Sequence, residues 1–148
     1  MRTTDINTQT VFTCNQLLRG ELSAVETYEQ AIEKFAREPE AMVFIGIRDR
    51  HEGSVEQLRG KVELMAGDPS VTSGAWGMFA NTVQATANML GKDSALETLK
   101  RGEAHGISEY ESALGASELE DDCVRLIRDI LLPRCRENID ALEQLNGK

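Results

Sequence analysis

The sequence predicts an all-α fold, a single domain over residues 1–148 built as a four-helix bundle of two helical hairpins, with an extra short helix in the crossover between them. Three observations carry this expectation. Apolar residues recur at helical spacing along four long stretches, turn chemistry separates those stretches into two pairs, and a segment of the first stretch is repeated in the third. The chain has only 3 prolines and few aromatic residues, and it lacks the runs of Val, Ile, Thr and Tyr that would suggest strands. At 148 residues it can bury roughly two-thirds of its unfolded surface, enough for a core without staples.

The elements follow in order. Thr3 or Thr4 with Asp5 can cap a first helix over about residues 4–37, whose core positions are Val11, Leu17, Leu18, Val25, Ile32 and Phe35. Pro39 opens a second, over about 39–66, in which Phe44, Ile47, His51, Val55, Leu58, Val62 and Met65 form one stripe. Ala66-Gly67-Asp68-Pro69-Ser70 breaks the pattern with turn residues. A short crossover helix is then expected over 74–91, with Trp76 and Phe79 either anchoring it to the bundle or serving an oligomer contact. Gly91-Lys92-Asp93-Ser94 supplies a stop and a cap for a helix over 94–115 that carries Leu96, Leu99, Ile107, Tyr110 and Leu114. The last helix, about 119–145, presents Val124, Ile127, Leu131, Leu142 and Leu145 and should bend at Pro133, which removes one backbone donor.

Composition excludes several functions. A net charge of -9 without a basic stripe argues against nucleic acid and anionic lipid as partners. No apolar run approaches the roughly 18 residues of a membrane span, and the first thirty residues lack the pattern of a signal peptide, so a cytoplasmic address and no membrane partner are expected. A homodimer through a bundle face would be ordinary. Cys14, Cys123 and Cys135 are widely spaced and read as free, packed thiols. The acidic clusters at Glu38-Pro39-Glu40 and Glu118 to Asp122 sit at helix starts, where negative charge is favourable.

The repeat brings in chemistry. Arg19 to Ala31 lies over Arg101 to Ala113 with six identities in thirteen positions, including Gly20-Glu21 over Gly102-Glu103 and Tyr28 over Tyr110. In each copy the Glu precedes the Tyr by seven residues, which returns to the same helix face, and that face also carries core leucines. Glu21 and Glu103 are therefore expected to point inward. The partner helices align more weakly, placing His51 opposite Asn138 and Arg48 opposite Cys135. Gly20 and Gly102 each cost about 1 kcal/mol against Ala in a helix, and their repetition suggests a close approach to the backbone beside each Glu.

Two facing carboxylates repel and are costly to desolvate, so they need a metal, another cation or shared protons. Two readings follow. In one, Glu21, His51 and Glu103 form a reduced carboxylate and histidine metal site for iron or another divalent ion, with Asn138 as an accessory ligand. In the other, Arg48 reaches between the carboxylates in a metal-free structural or protein-interaction module of a stress-related kind, with Tyr28 and Tyr110 in the same core network. His105, two residues after Glu103, points away and is expected at the surface. No catalytic residues are assigned, because no nucleophile, phosphate loop or haem motif has a recognisable spacing.

The segment Gly20 to Tyr28 resembles the first ligand helix of rubrerythrin-like proteins, with its Glu, small residue three later and Tyr seven later. Ser73-Gly74-Ala75-Trp76, Gly91-Lys92-Asp93 and Leu99 to Glu103 with Tyr110 resemble the ferritin-like family known as domain of unknown function 2383, over most of the chain. The resemblance implies a ferritin-like bundle. A full di-iron site of that kind would carry Glu-x-x-His on each partner helix. Here Arg48 stands before His51 in place of Glu, and Cys135 and Asn138 occupy the second pair, so di-iron oxidase or peroxidase activity is not expected.

Overall fold

The computed structural model describes residues 3–73, 91–116 and 118–146, and every regular element among them is helical. These are α1 (Thr3–Lys34), α2 (Glu40–Leu64), α3 (Lys92–Ala116), α4 (Asp121–Leu126) and α5 (Leu132–Asn146), with a π turn at Ile127–Leu131 joining the last two. The expected crossover helix, with Trp76 and Phe79, lies outside the described residues apart from Gly91. No helix among the described residues is long and apolar enough to cross a membrane.

α1 packs chiefly along α2, and α3 along α5, so the two expected hairpins form. Their directions follow from the core. Near one end, Cys14, Leu18, Leu58, Val62, Tyr110, Cys123 and Ile127 pack together; near the other, Tyr28, Phe35, Phe44, Ile47, Leu96 and Leu142 do. α2 and α3 therefore both run from the second end to the first, while α1 and the α4–α5 stretch run the opposite way. The end of α2 at Leu64 and the start of α3 at Lys92 therefore lie at opposite ends of the bundle.

Local chemistry sets the boundaries. α1 stops at Lys34, short of the expected position near 37, because the chain tightens: Glu38 N–H bonds the Phe35 carbonyl at 2.9 Å. Pro39 precedes α2 with φ near -58°, already suited to a helix start. α2 ends in a paired cap, with Gly67 N–H on the Val62 carbonyl at 2.9 Å and Ala66 N–H on that of Glu63 at 3.0 Å. Ala66 takes the left-handed position (φ 60°) that usually falls to glycine. At Gly67 a side chain would meet Val11 at 2.7 Å, so the turn presses directly on α1. Glu120 caps α4 by accepting from the Asp122 N–H.

The final stretch departs from the expectation of one helix bent at Pro133. Pro133 has no N–H to return to Asp129, and the irregularity is taken up just upstream, where Leu132 N–H reaches back five residues to the Ile127 carbonyl. The π turn keeps both Ile127 and Leu131 fully buried across the insertion.

Candidate functional site: a buried carboxylate and histidine chain

Between the two apolar ends lies a layer of buried polar groups supplied by α1, α2, α3 and α5. Glu21, His51, Glu103 and Asn138 are all at most 5 % exposed. His51 stands at the centre: Nδ1 lies 2.5 Å from Glu21 Oε2, and Nε2 lies 2.7 Å from Glu103 Oε2. Tyr110 donates to Glu21 Oε1 at 2.5 Å, and Tyr28 donates to Glu103 Oε2 at 2.6 Å. Asn138 Nδ2 donates to Glu103 Oε1 at 3.2 Å. The result is a continuous chain, Tyr110 to Glu21 to His51 to Glu103 to Tyr28.

The tyrosine pairing crosses between helices. Seven residues advance a helix by about 10 Å, so neither Tyr reaches the Glu of its own helix. α1 and α3 are antiparallel, so seven residues up one helix face seven residues down the other, and Glu21 meets Tyr110 as Tyr28 meets Glu103. The repeated Glu and Tyr thus become two reciprocal contacts. The equal Glu-to-Tyr spacing in the two copies makes this exchange possible once the helix directions are known.

Electrostatics favour the protonated form of His51. Burial disfavours its charged form, but Glu103 and Glu21, on either side of the ring, outweigh burial and hold its pKa well above the ordinary value of 6.5. A charged ring donates from both nitrogens, which suits a carboxylate on each side. Burial likewise works against the Glu103 carboxylate, yet His51, Tyr28 and Asn138 together keep its pKa below the usual range. Burial and the facing carboxylates push both phenols up, so Tyr28 and Tyr110 remain donors. The Tyr28 ring also stacks on His51, with centroids 5.5 Å apart and planes 25° from parallel.

Arg48 does not enter this layer. Its guanidinium bonds Asp49 at 3.1 Å and approaches Glu52 at 3.7 Å near the surface, so the expected Arg48 bridge is corrected: His51 stands between the carboxylates instead. Two residues along α2 the chain turns inward, and Arg50 Nε donates to Asn138 Oδ1 at 2.7 Å. That bond fixes the amide with its nitrogen toward Glu103. Arg50 was not singled out in the sequence; its signal was its place one position before His51, beside the residue opposite Asn138. His105 is exposed and approaches Glu109 at 3.5 Å, as its spacing implied.

The donor set is poorly arranged for a divalent ion. Among the described residues no group of three or more His, Cys, Asp and Glu side chains is arranged to hold one. The geometry gives the reason. Glu21 and Glu103 occupy opposite edges of the imidazole, so one ion cannot touch both carboxylates and a ring nitrogen unless His51 moves. Asn138 already gives its oxygen to Arg50. Cys135 lies close by, but burial and the two carboxylates raise its thiol pKa, which disfavours a thiolate ligand.

Beside the chain, between α1 and α3, lies a cavity of about 360 Å³. Leu17, Ala24 and Leu99 form apolar wall, Glu21, Tyr28, His51, Glu103 and Tyr110 reach it, and Gly20, Gly102 and Gly106 border it. A side chain at Gly20 would meet nothing within 4 Å, so that glycine leaves open space where a close backbone approach was expected.

Comparison with known proteins gives one finding. A family model described as a domain of unknown function (DUF2383) matches residues 9–116, which include Glu21, Tyr28, His51, Glu103 and Tyr110 and stop short of Asn138. No curated protein and no solved structure matches the chain. The matched span exceeds half of the 148 residues, and the chain belongs to the DUF2383 family.

Proposed function

We propose that this protein is a metal-free, ferritin-like helical module that balances its two core carboxylates with a protonated histidine and acts by binding rather than by catalysis. The ferritin-like reading is supported by the two hairpins and by the parallel directions of α2 and α3, which are far apart in sequence. The metal-free reading is carried by one observation: both ring nitrogens of His51 are taken by carboxylates, at 2.5 and 2.7 Å. An imidazolium there supplies the positive charge that an ion would otherwise bring.

Iron or another divalent ion is the competing occupant. It would have to displace the His51 proton and turn the ring. The test is nitrogen NMR of the His51 ring at neutral pH, with metal analysis of untagged protein from iron- and manganese-supplemented cells. Two protonated nitrogens and less than about a tenth of an equivalent of metal are expected. Near-stoichiometric metal that disappears in Glu103→Ala would sink the proposal.

The cavity favours a more specific version of binding. A volume of about 360 Å³ with apolar walls and a few converging polar groups suits a small, mostly apolar molecule with one hydrogen-bonding group turned toward Glu21 and Tyr110. Screening small apolar amines and alcohols by NMR should shift the resonances of Tyr110 and His51. If those resonances stay fixed across the screen, this version is wrong.

A further inference from the structure

At the end of the bundle remote from the Phe35 contacts, Cys14 of α1 and Cys123 of α4 bring their sulfur atoms to 3.3 Å. Both residues are fully buried, and they are separated by 109 positions in sequence. We propose that Cys14 and Cys123 are an oxidisable dithiol that a hydroperoxide converts into an intramolecular disulfide, fastening α1 to α4.

Three features support this. The sulfurs already touch, and side-chain rotation has only to close them to about 2.0 Å. The pair is chemically asymmetric: the hydrogen bond from Cys14, ahead of the opposing burial and with help from Lys61, holds Cys123 below the ordinary thiol value. The same hydrogen bond, then burial, raises Cys14. Cys123, in the six-residue α4, is the sulfur that peroxide reaches first, and Cys14, inside the long α1, is the one that resolves. Finally, the lid over the pair is thin. Cys123 lies in a helix of six residues that ends at the π turn, and the Lys61 and Glu120 ion pair stands nearby with Glu120 also capping that helix. Opening one turn of α4 exposes Cys123 while the rest of the bundle holds.

The Cys123 thiolate attacks one peroxide oxygen, the O–O bond breaks, and the departing hydroxide takes up a proton to become water, leaving a sulfenic acid on Cys123. Cys14 sulfur then attacks that sulfur, its proton leaves with the sulfenic hydroxyl as a second water, and the S–S bond forms. Two thiols and one hydrogen peroxide give one disulfide and two waters.

The test treats the reduced, folded full chain with hydrogen peroxide and follows intact mass and non-reducing tryptic peptides. The expected product has lost two hydrogens, joins the peptide holding Cys14 to that holding Cys123, and leaves Cys135 unmodified. It should unfold several degrees higher than the reduced protein, and dithiothreitol should reverse the shift. Cys14→Ala should give Cys123 sulfenic acid, trappable with dimedone, and Cys135→Ala should still form the link. Links through Cys135, dimers, or thiols that resist peroxide until the chain is unfolded would each overturn the proposal.

Discussion

His51 Nε2 lies 2.7 Å from Glu103 Oε2, and the opposite ring nitrogen is held by Glu21, so a single side chain of α2 links α1 to α3 through the core. Removing it leaves two buried carboxylates facing each other without a cation. His51→Ala is expected to cost about 3–5 kcal/mol, read from urea unfolding. Adding Glu103→Gln to that variant should recover part of the loss, because one of the unbalanced charges goes with it. Additive costs in the double variant would contradict the charge-balance account.

Stability should depend on pH in two windows. The folded pKa of His51 is raised, so its contribution is complete below the ordinary value of 6.5 and declines as pH rises from there through the folded pKa. The folded pKa of Glu103 is depressed, so its contribution is present above the ordinary 4.5 and is lost as pH falls through the folded value. Together they place their joint maximum between pH 4.5 and 6.5. Thermal unfolding across pH should show the alkaline decline flattened in His51→Gln.

The two tyrosines should not be equivalent. Glu103 Oε2 accepts from both Tyr28 and His51, whereas Tyr110 is the partner of Glu21 Oε1. Each hydrogen bond to a charged group contributes about 1.5–3 kcal/mol, and Tyr110→Phe should fall at the upper end of that range with Tyr28→Phe at the lower. Chemical denaturation of the two variants side by side gives the comparison.

The end of α2 offers a pair of opposite effects. Ala66 has φ 60°, and Ala66→Gly should stabilise by about 1 kcal/mol by relieving that conformation. Gly67→Ala should destabilise, since the new methyl would meet Val11 at 2.7 Å and Val62 at 3.0 Å. Unfolding midpoints that move in the same direction would refute this description of the turn.

Gly20→Ala should raise stability by about 1 kcal/mol through helix propensity, because a methyl there enters open space. A loss of stability, measured by the same denaturation, would show that the space beside Gly20 is needed.

Much of the architecture was legible in the chain. The spacing of Leu17, Leu18, Phe44, Leu58, Leu99 and Leu142 follows helix geometry, which is a local property, and all are buried. The repeat likewise placed Glu21, Glu103, Tyr28 and Tyr110 inward, and alignment of the partner helices set His51 opposite Asn138, which the fold brings to 3.3 Å. Tertiary structure decided the pairing. Only the antiparallel packing of α1 on α3 gives each tyrosine to the other helix's carboxylate, and only the rotation of α2 turns Arg48 toward Asp49 while Arg50 reaches Asn138. Periodicity fixes which face of a helix is apolar. It does not fix the height and rotation at which two such faces meet, and the charge balance of this core depends on both.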